Sequence, residues 1–509
     1  MDISRRRFIE GFFAAGAFGC SPALRAAGGA LQGMSPGIVF GVVSDIHLAA
    51  SRGKDGALSF AGEEKFRETL GLFGRRGVDA VAICGDMADR GLVPELEAVA
   101  RAWNAAFPGG RNASGGKVER LFVYGNHDYE GWRYGGARSP ARKIFGEGLE
   151  KQTIGADLAG AWEEVFGEAY EPVWKKEING FTFAGAHWCS DKCRAGANFN
   201  PGAARWIEAN APRFDPARPF FWFQHPHPRN TCYGPWAWGY DSGATAAALS
   251  RFPNAVAFSG HSHASVNDER AIWQGAFTSI GAGSLKYVGL DYADVPPHGR
   301  ENDRPWRQDG EDPYKVMPKM STRDGHQGMI VRVYRDFMSI ERIDCGDFAP
   351  LGENWIVPLP VAQPPPFRFE KRAAESKAPQ FAPGAALSVK MAQGKNRGGG
   401  KDHVKSVKQP VVEIAIPPPD ARSGARALDF KIEIAGANGK TDVKYVFAQS
   451  FYRSAASGLA DRPTVCRIAA GRLKAKGDLK IKVFPRNSFG KAGRPAEAAL
   501  ARRKPRSAG

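Results

Sequence analysis

At 509 residues the chain exceeds the roughly 250 to 300 at which one hydrophobic core stops growing, so two folded units are expected. Hydrophobic residues at 43%, aromatics at 11%, 61 Gly and 35 Pro exclude a fibrous or wholly disordered chain and describe a globular, loop-rich one. The formal charge of +17 is uneven: residues 371–509 hold 29 Lys/Arg against 10 Asp/Glu, and the first 370 hold 41 against 43, so broad attraction for anions belongs to the C-terminal part.

In chain order, Ser4-Arg5-Arg6-Arg7-Phe8-Ile9 precedes a short apolar stretch, Gly11 to Cys20, and then small residues to Ala30. This order predicts an export signal over residues 1–30, too short to span a bilayer. The arginine pair before Phe8 resembles a twin-arginine address, which implies a periplasmic or cell-envelope destination. Lipid anchoring at Cys20 is a minor alternative, because Ala17 replaces the usual Leu. Of the seven cysteines, Cys189 and Cys193 are spaced for a disulfide or two free thiols rather than zinc.

Apolar runs then alternate with helical patterns. Ile38–Val43, Val78–Cys84 and Arg120–Tyr124 read as strands, with helices predicted over 61–75 and 93–106 between them. Further strands are expected at 181–186, 219–224, 255–259, 277–280, 328–334 and 337–343, making residues 36–357 an α/β domain. The irregular segments 187–202, 229–242 and 284–326 read as functional loops. Residues 358–408, rich in Pro, Gly and Lys, read as a linker. Short alternating segments over 409–495 predict a small all-β sandwich, and 496–509 a basic flexible tail. Val483 to Gly490 resembles the last strand and turn of a fibronectin type III domain.

Five short motifs each follow a predicted strand: Asp45-Ile46-His47, Gly85-Asp86, Gly125-Asn126-His127-Asp128, His225, and Gly260-His261-Ser262-His263. Each alone is common; their order is not. Imidazole nitrogens and carboxylate oxygens suit zinc, iron or manganese. An Asp-x-His or His-x-His pair past a strand points two side chains the same way, and loops at the carboxyl ends of neighbouring strands bring distant motifs to one crevice. Asp86 has two oxygens with which to bridge two cations. Gly85, Gly125 and Gly260 are expected to permit tight turns beside them.

In order and spacing these blocks resemble the calcineurin-like metallophosphoesterase superfamily over about residues 36–345. The resemblance implies a four-layer α/β/β/α sandwich and two divalent or trivalent metal ions, Mn, Fe or Zn. By the same resemblance Asp45, His47, Asp86 and His263 hold one ion, and Asp86, Asn126, His225 and His261 the other. His127 is implied beside the leaving group, with Asp128 orienting it. Gly85-Asp86-Met87-Ala88-Asp89-Arg90-Gly91 is similar to the motif of protein serine/threonine phosphatases, but Asp128 stands where those proteins carry Glu, so that substrate is not assigned. In His225-Pro226-His227-Pro228 the ligand is expected at His225, which follows the strand most directly, with His227 the other candidate.

The implied reaction is hydrolysis of a phosphate mono- or diester by a metal-bridging hydroxide. Anionic envelope polymers or lipids are expected partners of the basic C-terminal part. A nuclease on nucleic acid is the alternative, weakened by the near-neutral first 370 residues, and a non-catalytic envelope-binding protein is a third reading. Trp222, Trp236, Trp238, Trp273, Tyr233 and Tyr240 are expected to pack core and loops, or to wall a leaving-group pocket.

Overall fold

The computed structural model describes residues 34–190, 198–233, 241–288, 324–361, 363–396 and 407–501. The expected export signal with Cys20, Cys193, Trp236, Trp238, Tyr240 and the terminal basic run lie outside them. Among the described residues no helix is long and apolar enough to cross a membrane.

The first part of the chain forms β1 (Ile38–Val43), β2 (Ala49–Arg52), β3 (Leu58–Ala61), β4 (Ala80–Cys84), β5 (Glu119–Val123), β6 (Val173–Ile178), β7 (Phe181–Ala186), β8 (Phe220–Phe223), β9 (Ala255–Ser259), β10 (Ile272–Gln274), β11 (Thr278–Gly281), β12 (Gln327–Val333), β13 (Phe337–Asp344), β14 (Ala349–Pro350) and β15 (Trp355–Pro358). One sheet has the order β14-β13-β12-β1-β4-β5, with β15 also on β13; the other has β10-β11-β9-β8-β7-β6. Within them β1, β4 and β5 run parallel, as do β7, β8, β9 and β11.

The strand sequences explain the layering. In β1, Ile38, Phe40 and Val42 enter a core between the sheets, where they meet Phe183, Phe221, Phe223 and Phe258. The Phe40 ring stands edge-on at 5.0 Å from Phe221 and 5.8 Å from Phe258. The alternate residues face outward. On one side Phe73 of the helix Glu63–Arg75 lies against Gly41, and Leu96, Val99 and Trp103 of the helix Val93–Ala106 join the same cluster. On the other, Trp206 of the helix Ala203–Asn210 lies 6.0 Å from Trp222. Two sheets back to back with helices outside give the expected α/β/β/α order. Strand β4, buried on both faces, is accordingly a continuous small apolar run with no alternation.

The C-terminal part forms β16 (Ser388–Asn396), β17 (Val407–Ile416), β18 (Asp429–Gly436), β19 (Thr441–Phe447), β20 (Thr464–Ala469), β21 (Leu479–Arg486) and β22 (Ala496–Leu500). Sheets β16-β17-β20 and β19-β18-β21-β22 enclose one core containing Val412, Ile414, Phe430, Ile432, Cys466, Ile468, Ile481 and Val483. Over 479–483 of β21 burial alternates, with Leu479, Ile481 and Val483 buried and Lys480 and Lys482 exposed.

Two expected boundaries differ. The segment 358–408 holds the helix Phe369–Glu375 and strand β16, which pairs with β17 from Ser388 to Asn396. As an edge strand β16 buries little, so its composition resembles a linker. The tail expected from 496 begins with β22, an Ala-rich strand paired to β21; small side chains suffice at that edge.

Candidate metal centre

Because β1, β4 and β5 are parallel in one sheet and β8 and β9 in the other, the residues following all five strands emerge at one edge of the sandwich. All seven proposed ligands meet there. His47 Nε2 lies 3.1 Å from His263 Nε2 and 3.5 Å from Asp86 Oδ2, and Asp45 Oδ1 lies 3.1 Å from His263 Nε2. On the other side of Asp86, His225 Nε2 lies 3.1 Å from Asp86 Oδ2, 3.1 Å from Asn126 Oδ1 and 3.1 Å from His261 Nδ1. Asp86 stands between the two groups, with Oδ2 facing both, while Oδ1 accepts the His127 N–H at 2.8 Å.

The backbone is bent to achieve this. Asp45, His47, Asp86, His261 and His263 all have φ between 47° and 70°. Left-handed backbone costs a non-glycine residue roughly 1–2 kcal/mol, and five such residues in one crevice place strain where side-chain aim requires it. The glycines serve differently from one another. Gly85 has φ 91°, and a Cβ there would also strike the His225 ring; Gly125 and Gly260 permit close approach alone: a Cβ on Gly125 would strike Asp86, and one on Gly260 would strike Ser44 and Asp45.

The outer nitrogens fix the rings. His225 Nδ1 lies 2.7 Å from the Cys84 carbonyl, His263 Nδ1 3.2 Å from the Tyr287 carbonyl, and His47 Nδ1 3.2 Å from Asp89 Oδ1. When neutral and with Nδ1–H donated outward, each ring turns an Nε2 lone pair inward. Such inward-facing nitrogen and carboxylate oxygen atoms suit Zn, Fe or Mn. Without a cation, protons fill the same role. Burial disfavours charge on His47, but hydrogen bonds to Asp45 and Asp89 outweigh it and raise the ring's pKa to about 10. Burial likewise opposes charge on His225, yet Asp86 lifts it to about 9. The crevice holds positive charge.

His227 is excluded from this convergence. It is buried with Nδ1 2.7 Å from Ser259 Oγ and Nε2 2.7 Å from Ser262 Oγ, and burial drives its pKa down to about 3. It braces the turn that carries His261 and His263.

One expectation is corrected. Asp128 does not orient His127; its carboxylate accepts N–H bonds from Ala88 at 2.7 Å, Gly125 at 2.7 Å and Met87 at 3.3 Å. The His127 ring is held instead by the Asp89 carbonyl, 2.8 Å from Nδ1. It packs 4.5 Å from the His47 ring, with burial lowering its pKa and Asp86 opposing that shift.

Sequence reasoning passed over Asp89, Tyr134, Lys286 and Tyr287. Asp89 touches two site histidines and lay inside a motif already singled out; Lys286 donates to the His47 carbonyl at 2.8 Å, from a loop with no motif. Among the aromatics, Trp222 and Tyr233 are fully buried packing residues, and Trp273 packs against Phe277. His187 is buried and accepts from the Tyr124 N–H, and Cys189 carries a free thiol.

Residues 38–265 match the family model described as calcineurin-like phosphoesterase. This chain contains a calcineurin-like metallophosphoesterase domain. The match runs from β1 to just past His263, and so includes every converging residue of the metallophosphoesterase crevice. No curated protein sequence matches the chain significantly. Similar solved structures include a dimetal phosphatase from Danio rerio (12% identity, 63% of this chain and 99% of that one, TM-score 0.36). Others are purple acid phosphatase PPD1 from yellow lupin, Lupinus luteus (11%, 64% and 55%, 0.38), and GAP50, the anchor in the inner membrane complex of Plasmodium (10%, 64% and 89%, 0.35).

Proposed function

We propose that this chain is a metal-dependent phosphoesterase that hydrolyses a phosphate mono- or diester in the cell envelope after export. The observation that carries the reading is the inward convergence of imidazole, carboxylate and amide acceptors on either side of Asp86. Asp45, His47, Asp86 and His263 would hold one cation, and Asp86, Asn126, His225 and His261 the other. When bound, such a pair supplies Lewis-acid polarisation of phosphoryl oxygens and activates water near neutral pH.

The protein's own residues do the rest. Asp89 fixes the His47 ring through Nδ1 and the His127 ring through its carbonyl, which leaves His127 Nε2 as the atom that, when the ring is protonated, would pass a proton to the departing oxygen. Export is supported by the arginine-led N-terminus. The C-terminal sheets of three and four strands support a fibronectin type III-like module, and its excess of lysine and arginine supports contact with anionic envelope polymers or lipids.

The test is cation analysis of the purified chain beside a panel of aryl mono- and diesters. Two cations per chain and turnover of at least one ester class are expected. His127→Ala should keep both cations and slow esters with poor leaving groups by about 10²- to 10⁴-fold; equal slowing across all leaving groups would remove the acid role. A cation-loaded chain inert toward every ester would end the phosphoesterase reading.

A further inference from the structure

We infer that Tyr134 is a positioning residue that determines which end of the Asn126 amide faces the second cation. The inference rests on the ligand set proposed above. An asparagine amide has a carbonyl oxygen at one end and an NH₂ at the other, and only the oxygen has a lone pair to offer a cation. Asn126 Oδ1 points inward, 3.1 Å from His225 Nε2, while Nδ2 donates outward to the Tyr134 hydroxyl at 2.9 Å. The hydroxyl has one proton, and it donates that proton to Glu130 Oε1 at 3.1 Å. Glu130, acceptor-only as a carboxylate, therefore sets the direction of the chain: its oxygen takes the phenol proton, and the phenol oxygen can then only accept. A flipped amide would set its carbonyl against that oxygen and its NH₂ toward the cation.

Two features point to a role in the site. Tyr134 is 40% exposed, a poor place for a large ring whose purpose is burial. Its ring also stands 4.7 Å from the His127 ring, so the same side chain touches the amide ligand and the residue proposed at the leaving group. The local fold provides this reach: Asn126 opens the helix Asn126–Glu130, a 3-10 turn follows over Gly131–Arg133, and the Tyr134 N–H closes it on the Gly131 carbonyl at 3.1 Å.

The test is Mn²⁺ titration of the full chain by calorimetry. The parent protein should bind two ions. Tyr134→Phe, which keeps the ring and removes only the hydroxyl, should bind one ion unchanged and the other about 10- to 100-fold more weakly, and excess Mn²⁺ should restore its turnover. Glu130→Gln adds an NH₂ that can donate to the phenol oxygen and so loosens that direction, and should fall between the parent and Tyr134→Phe. In an Asn126→Asp background both ends of residue 126 are oxygens, so adding Tyr134→Phe should cost no further affinity. Equal loss in both backgrounds would overturn the positioning role in favour of a structural one, and so would two ions bound by Tyr134→Phe with parental affinities. A parent protein that binds fewer than two ions would overturn the ligand set itself, and the inference with it.

Discussion

The crevice and the joint between the two parts of the chain both bury charged groups, and they satisfy them in opposite ways. At the joint Arg453, in the C-terminal part, donates to Asp344 at 2.8 Å, Asp347 at 2.8 Å and Asp324 at 2.6 Å. Nearby Glu269 accepts from Arg372 at 2.6 Å and from Arg426 at 2.5 Å. Donor meets acceptor, and arginine's fork fits the carboxylates it closes on. In the crevice acceptor meets acceptor, with imidazole nitrogens 3.1 Å apart in two places. Asp344, Arg453, Glu269 and Arg426 also keep ordinary backbone, whereas five crevice residues are left-handed. A cluster closed within the protein holds structure together; a cluster of converging acceptors, held under backbone strain, is organised for something that arrives.

The sharpest way to break this contrast is Asp86→Asn. The substitution preserves volume but removes the charge between the two ligand groups. Mn²⁺ affinity should fall by more than the roughly 10- to 100-fold that loss of a supporting partner costs, with turnover lost alongside, while the chelated protein still folds. Parental affinity would place the cations elsewhere. The matching change at the joint is Arg453→Ala. It strips three carboxylates of their cation, of which Asp344 alone is fully buried, and should destabilise the protein by about 3 kcal/mol in denaturant unfolding, with the number of bound Mn²⁺ ions unchanged. A change in cation number there would mean that joint and crevice are one cooperative unit.

What was legible in the sequence was whatever lay within a few residues of a strand end. Asp-x-His, Gly-Asp and His-x-His announce themselves because a strand fixes their direction, and alternation announced β18 and β21. Adjacency misled at Asp128. It and His127 lie next to each other in the short helix Asn126–Glu130, where neighbours i and i+1 do not face one another, and Asp128 folds back to cap the Gly125 N–H. Tyr134 and Lys286 reach the site from loops whose paths are set by tertiary packing, which no local pattern encodes. Strand β16 was hidden for a related reason: one paired edge and a half-exposed face leave little hydrophobic signal.

The smallest expected effect sharpens the comparison through pH. The folded chain raises His47 from 6.5 to about 10, and His225 from 6.5 to about 9. A folded pKa above the unfolded value contributes stability that is fully present below pH 6.5 and is lost as the pH climbs through the folded value. With cations chelated, the midpoint of thermal unfolding should therefore drop by a few degrees between about pH 6 and pH 9. Cation uptake requires the deprotonated rings, so binding releases protons and the gain in midpoint on adding Mn²⁺ should widen over the same interval. Arg453→Ala should leave that widening intact, because the arginine at the joint does not titrate in this range, whereas Asp86→Asn should flatten it. A chelated profile that rises with pH would show that the histidines held neutral by burial, His187 and His227, and not the crevice histidines, govern the chain's response to protons.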